Sequence, residues 1–153
     1  MAGLLDNLYL DINGMSRHLG VAEGLPEDIK YNERNPGIGF TKEYPKGKWV
    51  KSLLGGNFKN SYGDNSFYGG GSLARRFGKN YYADLGVFGG LATGYDDSRL
   101  SHEEKEYRVP GSTLQPMGGL LANLGKKDVG RLGLKYMPGK PGLIMMNLGI
   151  PFK

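Results

Sequence analysis

Ser16 and His18 stand two residues apart in the segment Ser16-Arg17-His18. On a strand that spacing puts both side chains on one face, so a hydroxyl and an imidazole project together. Further along, Tyr31-Asn32-Glu33-Arg34-Asn35-Pro36-Gly37-Ile38-Gly39 supplies two amides and a carboxylate just before a run of alternating glycine. Asn57-Phe58-Lys59-Asn60-Ser61-Tyr62 and Asn65-Ser66-Phe67-Tyr68-Gly69-Gly70 add Asn60, Ser61, Asn65 and Tyr68. Groups of this kind can have a purely structural use. His18, Asn32, Glu33 and Asn35 would then form a hydrogen-bonded plug that ties the first loop to the strands. As a binding set, the expected residues are Asn32, Asn35, Asn60, Ser61, Asn65 and Tyr68, joined by Arg131 and Lys135 from a later strand.

Other chemistries are excluded or poorly supported. There is no cysteine, so disulfides and thiolate metal sites are ruled out. His18 and His102 lie far apart with no ligand spacing, and no metal site or cofactor is expected. Gly69-Gly70-Gly71 is not a phosphate loop, because no helix follows and the P-loop lysine pattern is missing. Asp96, Asp97, Glu103 and Glu104 fit no calcium loop, and His102 beside them reads as solvated. The net charge of +5 is scattered. Its densest groups are Lys46/Lys48/Lys51, Arg75/Arg76/Lys79 and Lys126/Lys127. None of these interleaves with aromatics as a nucleic-acid motif does, which leaves solubility or attraction to phosphates.

The elements that must position these residues are strands. Glycine makes up 27 of the 153 residues, more than double its average usage of roughly 7%. Most of it falls inside apolar stretches, where it disfavours helix and marks bulges or close backbone approach in strands. Turn signals recur at short intervals and bound eight strand-sized segments: 8–16, 37–44, 49–58, 66–77, 81–93, 115–124, 129–137 and 143–152. The segment 20–35 is expected to be a loop, with a short helical turn near Glu27, and 94–113 a long charged loop of the kind that is often functional. Eight short strands joined mostly by tight turns predict a single all-β domain over 1–153, an antiparallel up-and-down barrel. A two-sheet sandwich is the runner-up.

The two faces of these strands differ. Ile144, Met146, Leu148, Ile150 and Phe152 share one face of the last strand, opposite Leu143, Met145, Asn147, Gly149 and Pro151. Leu132, Leu134 and Tyr136 oppose Arg131, Gly133 and Lys135; Ile38, Phe40 and Tyr44 oppose Gly37, Gly39 and Thr41. In a lipocalin-like barrel the bulky face points inward onto an apolar ligand. In an outer-membrane-like barrel it points outward, and glycine with charge fills a narrow lumen. Glycine suits the crowded interior, which favours the second arrangement. Against it, the N-terminus shows no secretory leader pattern, so no export signal is expected.

The segments Ser16-Arg17-His18, Tyr31 to Gly39, Asn60-Ser61-Tyr62 and Ser66-Phe67-Tyr68-Gly69-Gly70 resemble a family of small uncharacterised β-barrel proteins carried by bacteria and their phages. In that family an S-x-H element precedes YNExNPGxG, and NSY leads into S-x-Y-x-G. The resemblance spans roughly residues 9 to 95. It implies the barrel fold and a phage-encoded member without an export signal. The expected function is that of a non-enzymatic structural, virion or host-envelope-associated protein. Its partners would be other virion proteins or envelope lipids, and its place the virion or host cytoplasm with envelope association. The chain is also similar to outer-membrane lipid A deacylases, eight-stranded barrels with a histidine and serine two residues apart, an NPG element and an acidic partner. That similarity implies a lipid-active serine hydrolase with Ser16 as nucleophile, His18 as base and Glu33 as orienter. It departs in order, because in the deacylases the serine follows the histidine. A soluble barrel binding a small apolar ligand or a protein partner is the third expectation.

Overall fold

The computed structural model describes residues 5–20, 32–94, 114–139 and 142–152. It contains eight strands in chain order: β1 (Leu8–Leu19), β2 (Arg34–Lys46), β3 (Trp49–Lys59), β4 (Asn65–Gly78), β5 (Tyr81–Ala92), β6 (Gln115–Lys126), β7 (Gly130–Met137) and β8 (Gly142–Pro151). Each pairs antiparallel with its sequence neighbours, and β1 closes on β8 to complete the barrel. Closure leaves no free strand edge. The expected strands are therefore all present, with two changes at the start. β1 runs on to Leu19, and Arg34 and Asn35 belong to β2 rather than to a loop. The helical turn expected near Glu27 and the acidic segment containing Asp96, Asp97, His102, Glu103 and Glu104 lie outside the described residues.

The two ends of the barrel differ. β2–β3, β4–β5 and β6–β7 are joined by turns of two or three residues, and the first and last strands begin and finish at this same end. At Gly78 the backbone takes a φ of 91°, which favours glycine, and a Cβ there would overlap the Tyr81 carbonyl oxygen. The long connections β1–β2 and β5–β6 lie at the other end, with the short β3–β4 turn over residues 60–64. Asn60 holds that turn: its Oδ1 accepts from the backbone N–H groups of Tyr62 and Asp64, each at 3.0 Å.

The bulky face points outward. Leu53 is 61% exposed, Phe67 61% and Leu124 62%, and Ile38, Phe40, Leu85, Val87, Leu120 and Leu148 share the same outer surface. Charge is buried in the lumen, where Asp84 is 1% exposed and Glu43 2%, beside a small apolar cluster of Ala74, Phe88 and Leu121. Interior glycines make room for large polar groups. A Cβ at Gly39 would overlap the Tyr68 hydroxyl, one at Gly133 the Asn147 side chain, and one at Gly149 would sit 2.8 Å from Arg131 Nε. Glycine is not confined to the inside, however. Gly55 pairs with Gly69, and Gly71 and Gly118 both pair with Gly89, all at outer-face register positions. Interior crowding accounts for only part of the glycine.

β1 contains the one irregularity in its ladders. Register shifts between Asn13 and Met15 against both β2 and β8. A bulge of this kind inserts one residue and reverses the parity of the rest of the strand. Tyr9, Asp11 and Asn13 face the lumen before it, and Ser16 and His18 after it.

Candidate functional site

The lumen has three storeys. The lowest, toward the tight turns, is an ion network. Arg131 donates Nη1 to Glu43 Oε1 and Nη2 to Asp11 Oδ1 at 3.3 Å. Arg76 donates Nε to Asp84 Oδ1 at 2.7 Å and Nη2 to Glu43 Oε2 at 3.0 Å. Thr41 donates to Asp11 Oδ2, and Asn147 Nδ2 to Asp11 Oδ1 at 3.1 Å. Both guanidinium groups also cover aromatic rings, Arg131 over Tyr9 at 4.2 Å and Arg76 over Tyr82 at 4.0 Å. Three carboxylates and two guanidinium groups thus satisfy one another in a space from which water is largely removed. Such an arrangement is tolerable only when nearly every group is paired. It ties together β1, β2, β4, β5, β7 and β8.

Above the network is an apolar pocket. Leu54, Phe58, Phe88, Met117 and Met145 line it, with the amides of Asn13, Asn35 and Asn147, the Tyr68 hydroxyl and Lys135 among them. The cavity these side chains enclose is about 40 Å³. The pocket is therefore narrow.

The third storey is the polar rim at the long-loop end. Ser16 donates its hydroxyl to Asn35 Oδ1, and Asn35 Nδ2 donates to the Lys59 carbonyl at 2.8 Å. The Ser16 backbone N–H donates to the Glu33 carbonyl at 2.9 Å, and Asn32 N–H to the Ser61 carbonyl at 2.6 Å. Ser61 Oγ lies 3.1 Å from His18 Nε2. Asn60, with no exposed surface, donates to the Gly94 carbonyl at 2.9 Å.

The expected residues divide accordingly. Ser16 and His18 do share the inner face of β1, but Ser16 is bonded to Asn35, and the serine at hydrogen-bond distance from His18 Nε2 is Ser61. Glu33 touches Ser16 through its main chain, and its side chain is exposed. Asn32, Asn35, Asn60 and Ser61 come together at the rim. Tyr68 and Lys135 belong to the pocket and Arg131 to the network. Asn65, paired with Lys59 at the start of β4, is exposed. Asp11, Glu43, Arg76 and Asp84 were not among the expected residues. Their signal was present: each sits at the parity of its strand that faces away from the bulky residues.

Among known proteins, the chain matches no family model and no curated protein sequence.

Proposed function

We propose that this chain is a non-enzymatic, envelope-associated barrel held in a lipid bilayer by its outer face, with a lumen closed to ions. The carrying observation is the inverted distribution of polarity, with leucine, isoleucine and aromatics outside and paired charges inside. Every strand exposes large apolar side chains on this face, and an apolar patch of that extent is more than a monomer usually shows to water. Strand lengths support the reading, because seven of the eight strands have 10 to 14 residues and a tilted membrane strand needs roughly 9–11. The connections at one end are all tight turns, and both long ones, β1–β2 and β5–β6, are at the other beside the shorter β3–β4 and β7–β8 links, which fits the pattern of such barrels. Around the tight-turn end, Tyr44, Trp49, Phe77, Tyr81 and Phe152 are exposed, placed as an interfacial aromatic girdle would be. Basic side chains accompany them: Lys126 Nζ is 5.2 Å from the Tyr81 ring centre, and Arg75 5.4 Å from that of Phe77.

The test is reconstitution. Folded protein added to phospholipid vesicles should co-float with them and resist alkaline carbonate extraction. A protein that stays monomeric and soluble without detergent would overturn the reading.

A second reading, a lipid-active hydrolase, is favoured by the Ser61–His18 contact. A serine hydroxyl against an imidazole nitrogen is the nucleophile–base arrangement, and here it lies at the rim above an apolar pocket. Ester hydrolysis by wild type, abolished in Ser61→Ala and His18→Ala and retained in Ser16→Ala, would establish it. An inactive wild type would reject it.

A further inference from the structure

Lys135 is bonded to none of the lumen's acids, although Asp11 and Arg131 lie near enough to act on it electrostatically. That lumen holds three acids, Asp11, Glu43 and Asp84, and three bases, Arg76, Arg131 and Lys135. Arg76 and Arg131 take all three acids between them. Among the described residues no hydrogen bond or ion pair holds Lys135. It is nonetheless one of the lining residues of the narrow pocket, and the groups around it there are methionine, phenylalanine and leucine side chains with three asparagine amides. The amides are partly engaged, Asn147 with Asp11, Asn35 with the Lys59 carbonyl and Asn13 with the Tyr68 hydroxyl, so the cation against the apolar wall is the group suited to an anionic oxygen ligand that brings its own apolar body.

We propose that the upper half of the lumen binds a single unbranched alkyl chain ending in a carboxylate. The chain lies among Leu54, Phe88, Met117 and Met145, and the carboxylate meets Lys135 with Asn147 and Asn13 at hand. Methionine suits this wall because its thioether is flexible and adapts to a chain of variable course. The narrow bore excludes fused rings and branched bodies. The site belongs to the lumen alone, so it stands or falls independently of whether the outer face meets lipid.

The experiment uses the full chain folded in a steroid-based detergent, which offers no linear alkyl tail to compete. Dodecanoate labelled with carbon-13 at the carboxyl is titrated and followed by NMR, with dodecanol as the uncharged probe of equal length. A saturable one-to-one site is expected. Lys135→Met should weaken dodecanoate by about tenfold or more, the worth of a charge-assisted hydrogen bond, and leave dodecanol binding unchanged. Met145→Trp, which fills the pocket, should abolish both. A heat-modifiable gel shift confirms that each variant is still a folded barrel. A diacyl phosphatidylglycerol, with two chains and no carboxylate, should fail to displace dodecanoate; displacement by it would overturn the proposal. Absence of saturable binding, or equal loss of acid and alcohol in Lys135→Met, would overturn the proposal.

Discussion

Arg131 and Glu43 are 88 positions apart in the chain and meet across the lumen, where Glu43 also receives Arg76. Neither contact is local. The pair joins β7 to β2 and forms only when both have taken their places in the closed sheet. Removing one member leaves the other charged and buried, which is costlier than never having built the pair.

Arg131→Met should therefore destabilise the barrel by about 3–5 kcal/mol. Urea unfolding in micelles, followed by tryptophan fluorescence of Trp49, measures this. The double variant Arg131→Met/Glu43→Gln should recover part of the loss. Strict additivity of the two single variants would show that the pair is not coupled.

The same network should block ion flow. Wild-type protein in a planar bilayer is expected to show no stable conductance, and Arg76→Ala/Arg131→Ala to open a measurable one. Steady wild-type channels would contradict the lumen described here.

The socket at Gly39 should be specific to Tyr68. Gly39→Ala puts a methyl group into the tyrosine hydroxyl and should cost about 1–3 kcal/mol by overpacking. Adding Tyr68→Phe removes the clashing oxygen and should restore much of that. The same urea unfolding measurement reads both. No recovery would mean the strain lies in the backbone contact with Gly55 instead.

On the outer face, Leu120→Arg, at the middle of β6, should destabilise vesicle-inserted protein by as much as about 2–4 kcal/mol, the cost of an arginine near the bilayer midplane. In a soluble barrel the same change would be nearly neutral, so its effect discriminates between the two.

Much of the fold could be read from the chain because turn residues punctuate it. Pro45-Lys46-Gly47-Lys48 and Gly78-Lys79-Asn80 mark their hairpins plainly, and the parity of Leu132, Leu134 and Tyr136 against Arg131, Gly133 and Lys135 divides the two faces of β7. The direction of those faces was harder, since alternation is symmetric between inside and outside. Only the glycine and charge on one side hinted at the answer. The rim was read in part. Ser16 and His18 do project together, but the bulge after Asn13 is marked only by Gly14, one of 27 glycines, and is set by pairing to two neighbouring strands. The partner of His18 was out of reach for the same reason. Ser61 arrives from 43 positions away, brought by the ordering of three strands rather than by any local spacing.

The basic residues gathered at the tight-turn rim have a directional consequence. Lys46, Lys48, Lys79, Lys126 and Lys127 stand in or beside the turns, and all are exposed. Carrying that many ammonium groups through hydrocarbon is prohibitively costly. If the barrel enters a bilayer, this rim favours the side from which it came, although the His18–Ser61 end carries exposed charges of its own at Arg17, Glu33, Arg34 and Lys59. The molecule then has a leading and a trailing end, set by the balance of charge between its two rims.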